Sequence, residues 1–304
     1  MSDADAPPGA RRSLTPGVHQ LALASRTLPP FRVTWTTLVH SGGRGLLVDP
    51  GFADPADADR LLAWTRDLGV PAPDRVAITH GHPDHVAGLP ELLRRLDDAT
   101  VHTHPAEAAG LPAGARWTPL GDGRLLVVGG ATVRALHTPG HARGHLAFEV
   151  APAHDPHDPP GPAGLIAGDL LVGGRAPWIG LPDGDVDAYL DSVRRMGARR
   201  PAWLAPAHGD PPADPATALA AAADHRRARL AATLAALDRP RGLDELVDRI
   251  YGPVAAEARQ HLRAAMLANL ASLLRSRRVA HVGAGPEGPY ARMPGADADR
   301  STST

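Results

Sequence analysis

The chain has 304 residues, of which 43% are hydrophobic, and this length is sufficient for a sizeable buried core. The formal net charge is −1 and all 32 basic residues are Arg, so the overall charge gives no case for a nucleic-acid partner. The absence of Cys excludes disulfides, thiolate nucleophiles and thiolate metal ligands. Histidine is the outlier, with 16 residues in a chain that contains one Asn and two Gln.

The first two thirds of the chain alternate strand-like and helix-like segments. Apolar runs and alternation predict strands at Val18–Leu23, Phe31–Val39, Gly45–Val48, Arg75–Thr79, Thr100–Thr103, Arg124–Val128, Thr132–Leu136, Leu146–Val150, Leu165–Ala167 and Trp203–Pro206. Helical spacing predicts helices at Ala56–Leu68, Leu89–Leu96 and Val186–Met196. Little helix separates the later strands, which predicts two mainly antiparallel sheets flanked by helices rather than a doubly wound parallel sheet.

After a Pro- and Asp-rich linker at Asp210–Pro215 the chain becomes helical. The remaining predicted elements are helices at Ala216–Leu237, Leu243–Tyr251 and Ala255–Arg275 and strands at Val279–Val282 and Tyr290–Met293. Three helices and a two-stranded ribbon are typical of a winged helix. We therefore expect an α+β chain with a large domain at 14–212, a small winged-helix-like domain at 216–293 and flexible tails at 1–13 and 294–304. The Pro-, Asp- and His-rich segment 151–162 is expected to be an exposed loop.

The polar segment Met1–Arg12 lacks the apolar stretch of a signal peptide. No window approaches the run of roughly 18 apolar residues that a membrane span requires. We therefore expect a cytoplasmic protein with no membrane partner. The sequence leaves the oligomeric state open, and a homodimer is one option.

The strongest chemical signal is the segment Thr79-His80-Gly81-His82-Pro83-Asp84-His85, which follows a predicted buried strand. Neutral imidazoles and a carboxylate are good ligands for divalent zinc, and a loop at a strand end can aim several of them at one point. In a strand His80 and His82 share a face, while the following loop can turn Asp84 and His85 towards a second centre about 3.5–4 Å away, the usual separation in two-metal hydrolases. Scattered histidines in a polar surface turn rarely have this spacing.

The His-x-His-x-Asp-His pattern of this segment resembles the hallmark of the metallo-β-lactamase superfamily. Further segments resemble the rest of the family's ligand set in the family's order: Thr138-Pro139-Gly140-His141, Gly168-Asp169 and Pro206-Ala207-His208-Gly209. The resemblance implies a four-layer αββα sandwich. It also implies that two divalent ions are held by seven side chains: His80, His82 and His141 for the first, Asp84, His85 and His208 for the second, and Asp169 between them. Zinc is the expected metal, with iron or manganese as alternatives.

This ligand set implies a hydrolase in which the metals lower the pKa of water from 15.7 towards about 7. Asp84 is the expected catalytic residue, because it can ligate a metal and also orient the nucleophile or pass its proton to the leaving group. His145, four residues after His141, is expected to support the site or pack in a strand rather than bind metal. His137 is expected to be structural.

The C-terminal pattern resembles a subgroup of these hydrolases that carries a winged helix, the lactamase-β-like protein 2 type. That subgroup includes both single-strand endoribonucleases and acyl-carrier-protein thioesterases. The resemblance to it therefore does not settle the substrate of this chain. Residues 223–281 contain eleven Arg against six Asp or Glu, which could steer single-stranded RNA. A solvated Arg-rich face is the competing interpretation, and Tyr251 and Tyr290 are the only aromatic residues of the C-terminal segment 216–293.

The loop after Asp169 favours a small substrate. It contains Trp178-Ile179-Gly180-Leu181, an apolar patch that suits an acyl, lactone or other apolar group, although Trp178 could equally pack beneath the loop. His225 and Arg226 open the C-terminal helices and could face the metals, with Arg226 anchoring a substrate carboxylate or phosphate. Hydrolysis of an ester, thioester or lactone is the leading prediction. RNA phosphodiester cleavage is the first alternative, and an iron-dependent persulfide dioxygenase is the second.

Overall fold

The computed structural model of the chain describes residues 6–96, 98–151, 163–282 and 288–296. Nearly all of the loop predicted at 151–162 lies outside these residues, as does most of the tail predicted at 294–304. Among the residues described, no helix is both long enough and apolar enough to cross a bilayer.

Two sheets form the centre of the molecule. The first has seven strands in chain order: β1 Arg11–Thr15, β2 Val18–Ala24, β3 Val33–Ser41, β4 Arg44–Val48, β5 Arg75–Ala77, β6 Thr100–Thr103 and β7 Trp117–Pro119. The second has the order β12 Leu204–Pro206, β11 Gly164–Gly168, β10 Leu146–Ala151, β9 Ala131–His137 and β8 Leu125–Val128. The predicted antiparallel pairing holds for most strands, but β4 to β7 and the pair β11–β12 are parallel.

Helices cover the outer faces of both sheets. The bounds are α1 Asp57–Asp67, α2 Pro83–Val86, α3 Leu89–Leu93, a 3₁₀ helix Pro105–Gly110, α4 Val186–Ala198, α5 Pro215–Ala235, α6 Leu243–Tyr251 and α7 Ala256–Arg275. Aspartate side chains cap the two helices that follow long loops: Asp185 accepts hydrogen bonds from the second and third residues of α4, and Asp214 does the same for α5. A ribbon of β13 Val279–His281 and β14 Tyr290–Arg292 ends the described chain.

Three apolar clusters show the layering. One lies between α1, α3 and the first sheet and includes Leu61 and Leu89. A second lies between the two sheets, where Phe148 is fully buried. The third lies on the far side of the second sheet and joins it to α4 and to the C-terminal helices through residues such as Tyr189 and Met266. The order is therefore helix, sheet, sheet, helix, as the sequence resemblance implied.

The C-terminal helices share their core with the preceding part of the chain. Leu219, Leu230 and Met266 are buried in the same cluster as Tyr189 and other residues of α4. Arg275 on α7 also donates to Asp187 on α4 at 2.7 Å. The three helices and the ribbon appear as predicted, but packing is continuous across the linker, so the division at 212 and 216 stays a prediction.

The N-terminal tail predicted at 1–13 is structured from residue 6 onwards. Strand β1 begins at Arg11, and the carbonyl of Ala10 accepts a hydrogen bond from the Ala22 amide at 2.9 Å. The guanidinium of Arg12 lies 3.6 Å from the centre of the Trp35 ring and bonds to Gln20 at 2.7 Å. Polar residues form this edge strand through side-chain stacking and pairing that the apolar pattern does not show.

Phe148 packs between the two sheets whose strand ends carry the predicted metal ligands. We expect Phe148→Ala to lower the free energy of unfolding by about 3–5 kcal/mol, because it removes a fully buried ring and leaves a cavity. The matched surface variant Leu125→Ala, on a side chain that is 51% exposed, should change it by about 0.5 kcal/mol or less. Denaturant titration measures both, and equal effects would contradict the position assigned to Phe148.

Candidate metal centre

Four loops at strand ends bring the seven predicted ligands together. His80 follows β5 in the first sheet, while His141, Asp169 and His208 follow β9, β11 and β12 in the second. The short helix α2 begins at Pro83 and turns the rest of the histidine-rich segment towards the same point. The structure therefore assembles at one place residues that are up to 128 positions apart in the chain.

Three imidazoles form the first cluster. His82 Nδ1 lies 2.9 Å from His80 Nε2 and 3.0 Å from His141 Nε2, and the two Nε2 atoms lie 3.2 Å apart. His80 is fully buried and His82 is partly exposed. Three ring nitrogens converging in this way form one face of a metal site with an open side towards solvent.

The second cluster consists of Asp84, His85 and His208. His208 Nε2 lies 3.3 Å from Asp84 Oδ2, and His85 Nε2 lies 3.9 Å from Asp84 Oδ1. Gly51 makes this geometry available, because a Cβ atom there would lie 1.6 Å from the Asp84 carbonyl oxygen. The loop after β4 can therefore approach the ligand loop closely only without a side chain at this position.

Asp169 lies between the two clusters. Its Oδ2 is 3.4 Å from His141 Nε2, while its Oδ1 is 3.5 Å from His85 Nε2 and 3.6 Å from His208 Nε2. Gly168, with a φ of 52°, makes the turn that directs this side chain inwards. One carboxylate oxygen thus faces each cluster, which is the arrangement of a bridging ligand.

Outer hydrogen bonds orient the ligand rings. His141 Nδ1 donates to the Trp178 carbonyl at 2.7 Å, and His208 Nδ1 donates to the Val33 carbonyl at 2.9 Å. A carbonyl can only accept, so in both rings the proton is on Nδ1 and the Nε2 lone pair points into the centre. The His82 ring has the opposite orientation to those of His141 and His208: its Nδ1 faces the centre, and its Nε2 faces outwards and lies 3.7 Å from Asp183 Oδ2.

Asp49 orients the third ring and was missed by the sequence analysis. Its buried carboxylate lies 2.9 Å from His85 Nδ1 and accepts hydrogen bonds from the amide and hydroxyl of Thr79 at 2.8 and 2.7 Å. It sits at the end of β4 with a φ of 54°. The sequence shows only an Asp-Pro-Gly turn there, and a lone acidic residue in a turn carries no metal signal.

The charges of the site favour bound cations. Burial alone lowers the pKa of His85, but the nearby carboxylates, Asp49 and Asp169 foremost, raise it well above the usual value. Burial alone raises the pKa of the Asp84 carboxyl, but His85 and His208 lower it to about 2. In the first cluster burial lowers the pKa of His141 to about 4. The neutral imidazoles of His80 and His141 and the ionised carboxylates are good donors for divalent metals, and a cation bound at the second cluster replaces the proton that His85 holds.

Unpartnered buried atoms supply a direct test of whether metals fit. Within the described part of the chain, His85 Nε2, His208 Nε2 and Asp169 Oδ1 are buried and have no hydrogen-bond partner. All three atoms face the second cluster. Leaving such polar atoms buried and unpaired is costly, and a cation coordinated by them removes that cost. The second cluster therefore fits a divalent ion, and the three converging imidazoles of the first cluster fit another.

His145 supports the site without belonging to either cluster, as the sequence analysis expected. Its Nε2 accepts a hydrogen bond from the Asp169 amide at 3.0 Å, and its Nδ1 lies 2.8 Å from the Thr138 hydroxyl. Burial lowers its pKa to about 3, so it is a neutral acceptor. His137 is also structural, since its Nε2 donates to the Arg143 carbonyl at 2.9 Å.

The three residues predicted to bind substrate, Trp178, His225 and Arg226, differ in burial and in contacts. Trp178 is half-buried beside the first cluster through its carbonyl contact with His141. His225 is exposed on α5 and bonds to Arg229. Arg226 is buried and donates to the Pro177 carbonyl. These contacts give Arg226 a role in holding the loop, and its predicted role of anchoring substrate stays a prediction.

Phe31 is a further aromatic residue at the site that the sequence analysis did not select. Its ring centre lies 5.9 Å from that of His208, on the side of the second cluster, and it is half-buried. The Phe31 ring thus adjoins a residue of the second cluster, whereas Trp178 reaches the first cluster through its backbone carbonyl and its ring lies 5.9 Å from that of His261 on α7. The strand pattern at 31–39 contained Phe31 but gave no reason to separate it from core residues.

Comparisons with known proteins agree with this geometry. A family model described as the metallo-beta-lactamase superfamily matches residues 29–208. An atrochrysone carboxyl ACP thioesterase of Emericella nidulans is 28% identical over 177 residues, which cover 58% of this chain and 52% of that protein. A lactamase-like protein of Aspergillus niger is 27% identical over 265 residues, which cover 82% of this chain and 78% of that protein. The alignments span between 37% and 52% of the length of the first three curated relatives.

Solved structures show the same fold over almost the whole chain. A metallo-beta-lactamase family protein of Thermus thermophilus has a TM-score of 0.73 and 26% identity, covering 92% of this chain and all of that one. A beta-lactamase domain protein of Burkholderia ambifaria has a TM-score of 0.77 and 22% identity, covering 96% of both chains. Since the family model matches more than half of the residues, including every predicted ligand, this chain belongs to the metallo-β-lactamase superfamily.

Proposed function

We propose that this chain is a hydrolase of acyl thioesters that works with two divalent metal ions, zinc in the first instance. The observation that carries the proposal is the Asp169 carboxylate, whose two oxygens face two separate donor clusters. The thioester is favoured over the ester and lactone because relatives are named as acyl-carrier-protein thioesterases.

Metals bound by these residues would polarise a carbonyl group and lower the pKa of water. A side chain of the protein can orient the water molecule that attacks the carbonyl carbon. Asp84 is ionised at neutral pH and 15% exposed, so its carboxylate can accept a hydrogen bond from water and orient it. A thioester suits this site because a thiolate leaves without needing the proton that an amine leaving group requires.

The wall beside the first cluster supports an apolar acyl group. The 170–185 loop, whose Trp178 carbonyl orients His141, carries two apolar side chains that are not fully buried: Trp178 is half-buried and Leu181 is 36% exposed. Phe31 adjoins His208 on the other side. Aromatic and aliphatic surface beside a polar centre is the usual composition of a small-molecule pocket.

The arginines of the C-terminal helices do not favour the RNA alternative. Carboxylates pair with seven of the eleven arginines in residues 223–281, namely Arg227, Arg239, Arg241, Arg249, Arg259, Arg263 and Arg275. Arg226 is buried. An arginine whose charge is matched by a neighbouring carboxylate contributes little to attracting a phosphate backbone.

We further propose that residues 216–293 form a winged-helix-like domain that completes the wall of the site, beside a catalytic domain at 14–212. Three hydrogen bonds connect the 170–185 loop to α5 and α7: Arg226 to the Pro177 carbonyl, Trp178 Nε1 to the His261 carbonyl at 3.1 Å, and the Leu181 amide to the Ala264 carbonyl at 3.1 Å. The cytoplasmic location and the homodimer stay predictions from the sequence.

Metal content tests the centre directly. We expect elemental analysis to find two divalent ions per chain after reconstitution with zinc, because two clusters share Asp169. Asp169→Ala should lose both ions during dialysis against a chelator faster than His145→Ala, which removes a side chain from neither cluster. One ion or fewer per wild-type chain would count against the proposal.

Turnover tests the substrate class. Zinc-loaded protein should hydrolyse an acyl thioester faster than a p-nitrophenyl ester or an acyl-homoserine lactone, and should leave single-stranded RNA intact. Asp84→Asn should lower kcat for the thioester by about 10²–10⁴-fold, since it removes the anionic acceptor for water and weakens the second cluster.

The outcomes of this assay separate the alternatives. Asp183→Asn is a matched control, because it makes the same chemical change on a carboxylate that lies 3.7 Å from the outer nitrogen of His82 and is in neither cluster. Its kcat should fall less than that of Asp84→Asn. RNA cleavage with no thioester hydrolysis would replace the proposed function by the nuclease.

Arg226 tests the role of the C-terminal helices. We expect Arg226→Met to weaken metal binding at the first cluster and to raise KM, because the Pro177 carbonyl loses its donor and the Trp178 carbonyl that orients His141 is next to it. Arg227→Met, on a side chain that is 60% exposed and paired with Asp224, is the matched control and should change neither. A rise in KM with unchanged metal affinity would favour the substrate anchor that the sequence predicted.

A further inference from the structure

Glu107 connects the two loops that carry the first cluster. Its Oε2 accepts a hydrogen bond from the Gly81 amide at 2.8 Å, and its Oε1 accepts one from the Gly144 amide at 2.6 Å. Gly81 lies between His80 and His82, and Gly144 is three residues after His141. One carboxylate therefore spans from the loop of two ligands to the loop of the third.

These two loops belong to different sheets. The Gly81 loop follows β5 of the first sheet, and the Gly144 loop joins β9 and β10 of the second. The first cluster needs His82 Nδ1 and His141 Nε2 to lie 3.0 Å apart although their backbones come from opposite sides of the sandwich. The Glu107 carboxylate, which binds the backbone of both loops, fixes this separation directly; this bridge between the loops is called the Glu107 clamp below.

The local fold holds Glu107 in place for this contact. It lies in the 3₁₀ helix Pro105–Gly110 after β6, which is the parallel neighbour of β5. The first turn of this helix is closed by His104, whose Nδ1 accepts from the Ala106 amide at 3.2 Å and whose carbonyl accepts from the Glu107 amide at 2.9 Å. The Glu107 side chain is directed inwards, and the residue is only 8% exposed.

Both glycines leave space for the carboxylate. A Cβ atom at Gly144 would lie 2.7 Å from Glu107 Oε1 and 2.7 Å from His104 Nδ1, and one at Gly81 would lie 3.1 Å from Glu107 Oε2. The carboxylate thus contacts bare backbone on both sides. A carboxylate can accept at both oxygens, whereas the amide of Gln presents one acceptor and one donor, and the donor would oppose a backbone N–H.

We propose that Glu107 is a positioning residue for the first metal site, which sets the distance between the His80–His82 loop and the His141 loop. It contacts the backbone of both loops and none of the ligand side chains, so it acts through the ligands. This inference rests on the proposed two-metal centre. It predicts that changing Glu107 alters one metal site and spares the other, since within the described residues its carboxylate has no contact with Asp84, His85 or His208.

Stepwise cobalt binding to the full chain tests this role. Visible absorption of Co²⁺ during titration, with a competing chelator present, gives two affinities for the wild-type protein, and His82→Ala identifies the spectral component of the first site. Glu107→Gln should weaken that component by about 10–100-fold, the usual effect of losing an outer hydrogen bond at a metal site. The affinity of the second site should change less than about 2-fold.

Glu149→Gln is the matched control, because Glu149 lies on β10 and pairs with Arg199 away from the clusters. It should leave both affinities unchanged. If Glu107→Gln fails to fold, Gly144→Ala displaces the same carboxylate from the other side and should give the same selective loss, with Gly197→Ala, where a Cβ meets nothing within 4 Å, as its control.

Two results would overturn the role of Glu107. If both cobalt affinities are unchanged in Glu107→Gln and in Gly144→Ala, the Glu107 clamp does not determine the geometry of the first metal site. If the affinities of the first and second sites fall equally, Glu107 has a general structural role. Binding of fewer than two cobalt ions by the wild-type protein is a different failure. It would remove the two-metal centre itself and, with it, the basis of this inference.

Discussion

The structure depends on holding seven titratable side chains in contact at the ends of strands from two sheets. Imidazoles and carboxylates this close would rearrange or take up protons unless their outer atoms were fixed. The outer nitrogen of each of three rings is bound by a group of the scaffold: the Trp178 carbonyl, the Val33 carbonyl and the Asp49 carboxylate. These acceptors place a proton on the outer nitrogen of each ring and turn the inner nitrogen towards the centre. Because the surrounding carboxylates outweigh burial and raise the pKa of His85, that ring releases a proton when an ion binds.

The same requirement explains the backbone around the site. Gly51 and Gly144 lie where a neighbouring segment comes closer than any side chain would allow. Gly168 turns immediately before Asp169, and its conformation directs the bridging carboxylate inwards. The layers of helices supply the apolar burial that stabilises the sandwich, but these close approaches decide where its loops meet. The apolar residues of the helices and sheets therefore stabilise the fold, while the glycines near the strand ends determine the geometry of the site.

The sequence could predict which seven side chains come together because their signal is local. The His-x-His-x-Asp-His pattern and the three later segments can be recognised within a few residues each, and the alternation of apolar residues predicted most strands. Asp49 and Glu107 were missed because each is a single acidic residue whose partners are backbone amides or a distant ring. Strand β1 was missed because stacking of Arg12 on Trp35 leaves no apolar pattern. Arg226 was predicted to face the metals because it was taken to open the C-terminal helices, whereas α5 begins at Pro215 and Arg226 lies in its middle, bound to the Pro177 carbonyl.

The 170–185 loop links these observations to substrate choice. One side of the loop presents the carbonyl that orients His141, and the other is held by α5 and α7 through Arg226 and the backbone of Leu181. Substitutions in those helices can therefore reshape the loop beside the centre while all seven side chains stay the same. They are constrained, since a displaced Trp178 carbonyl also releases the ring of His141. This coupling gives a physical reason why helices outside the centre can alter substrate choice only within the limits that the orientation of His141 allows.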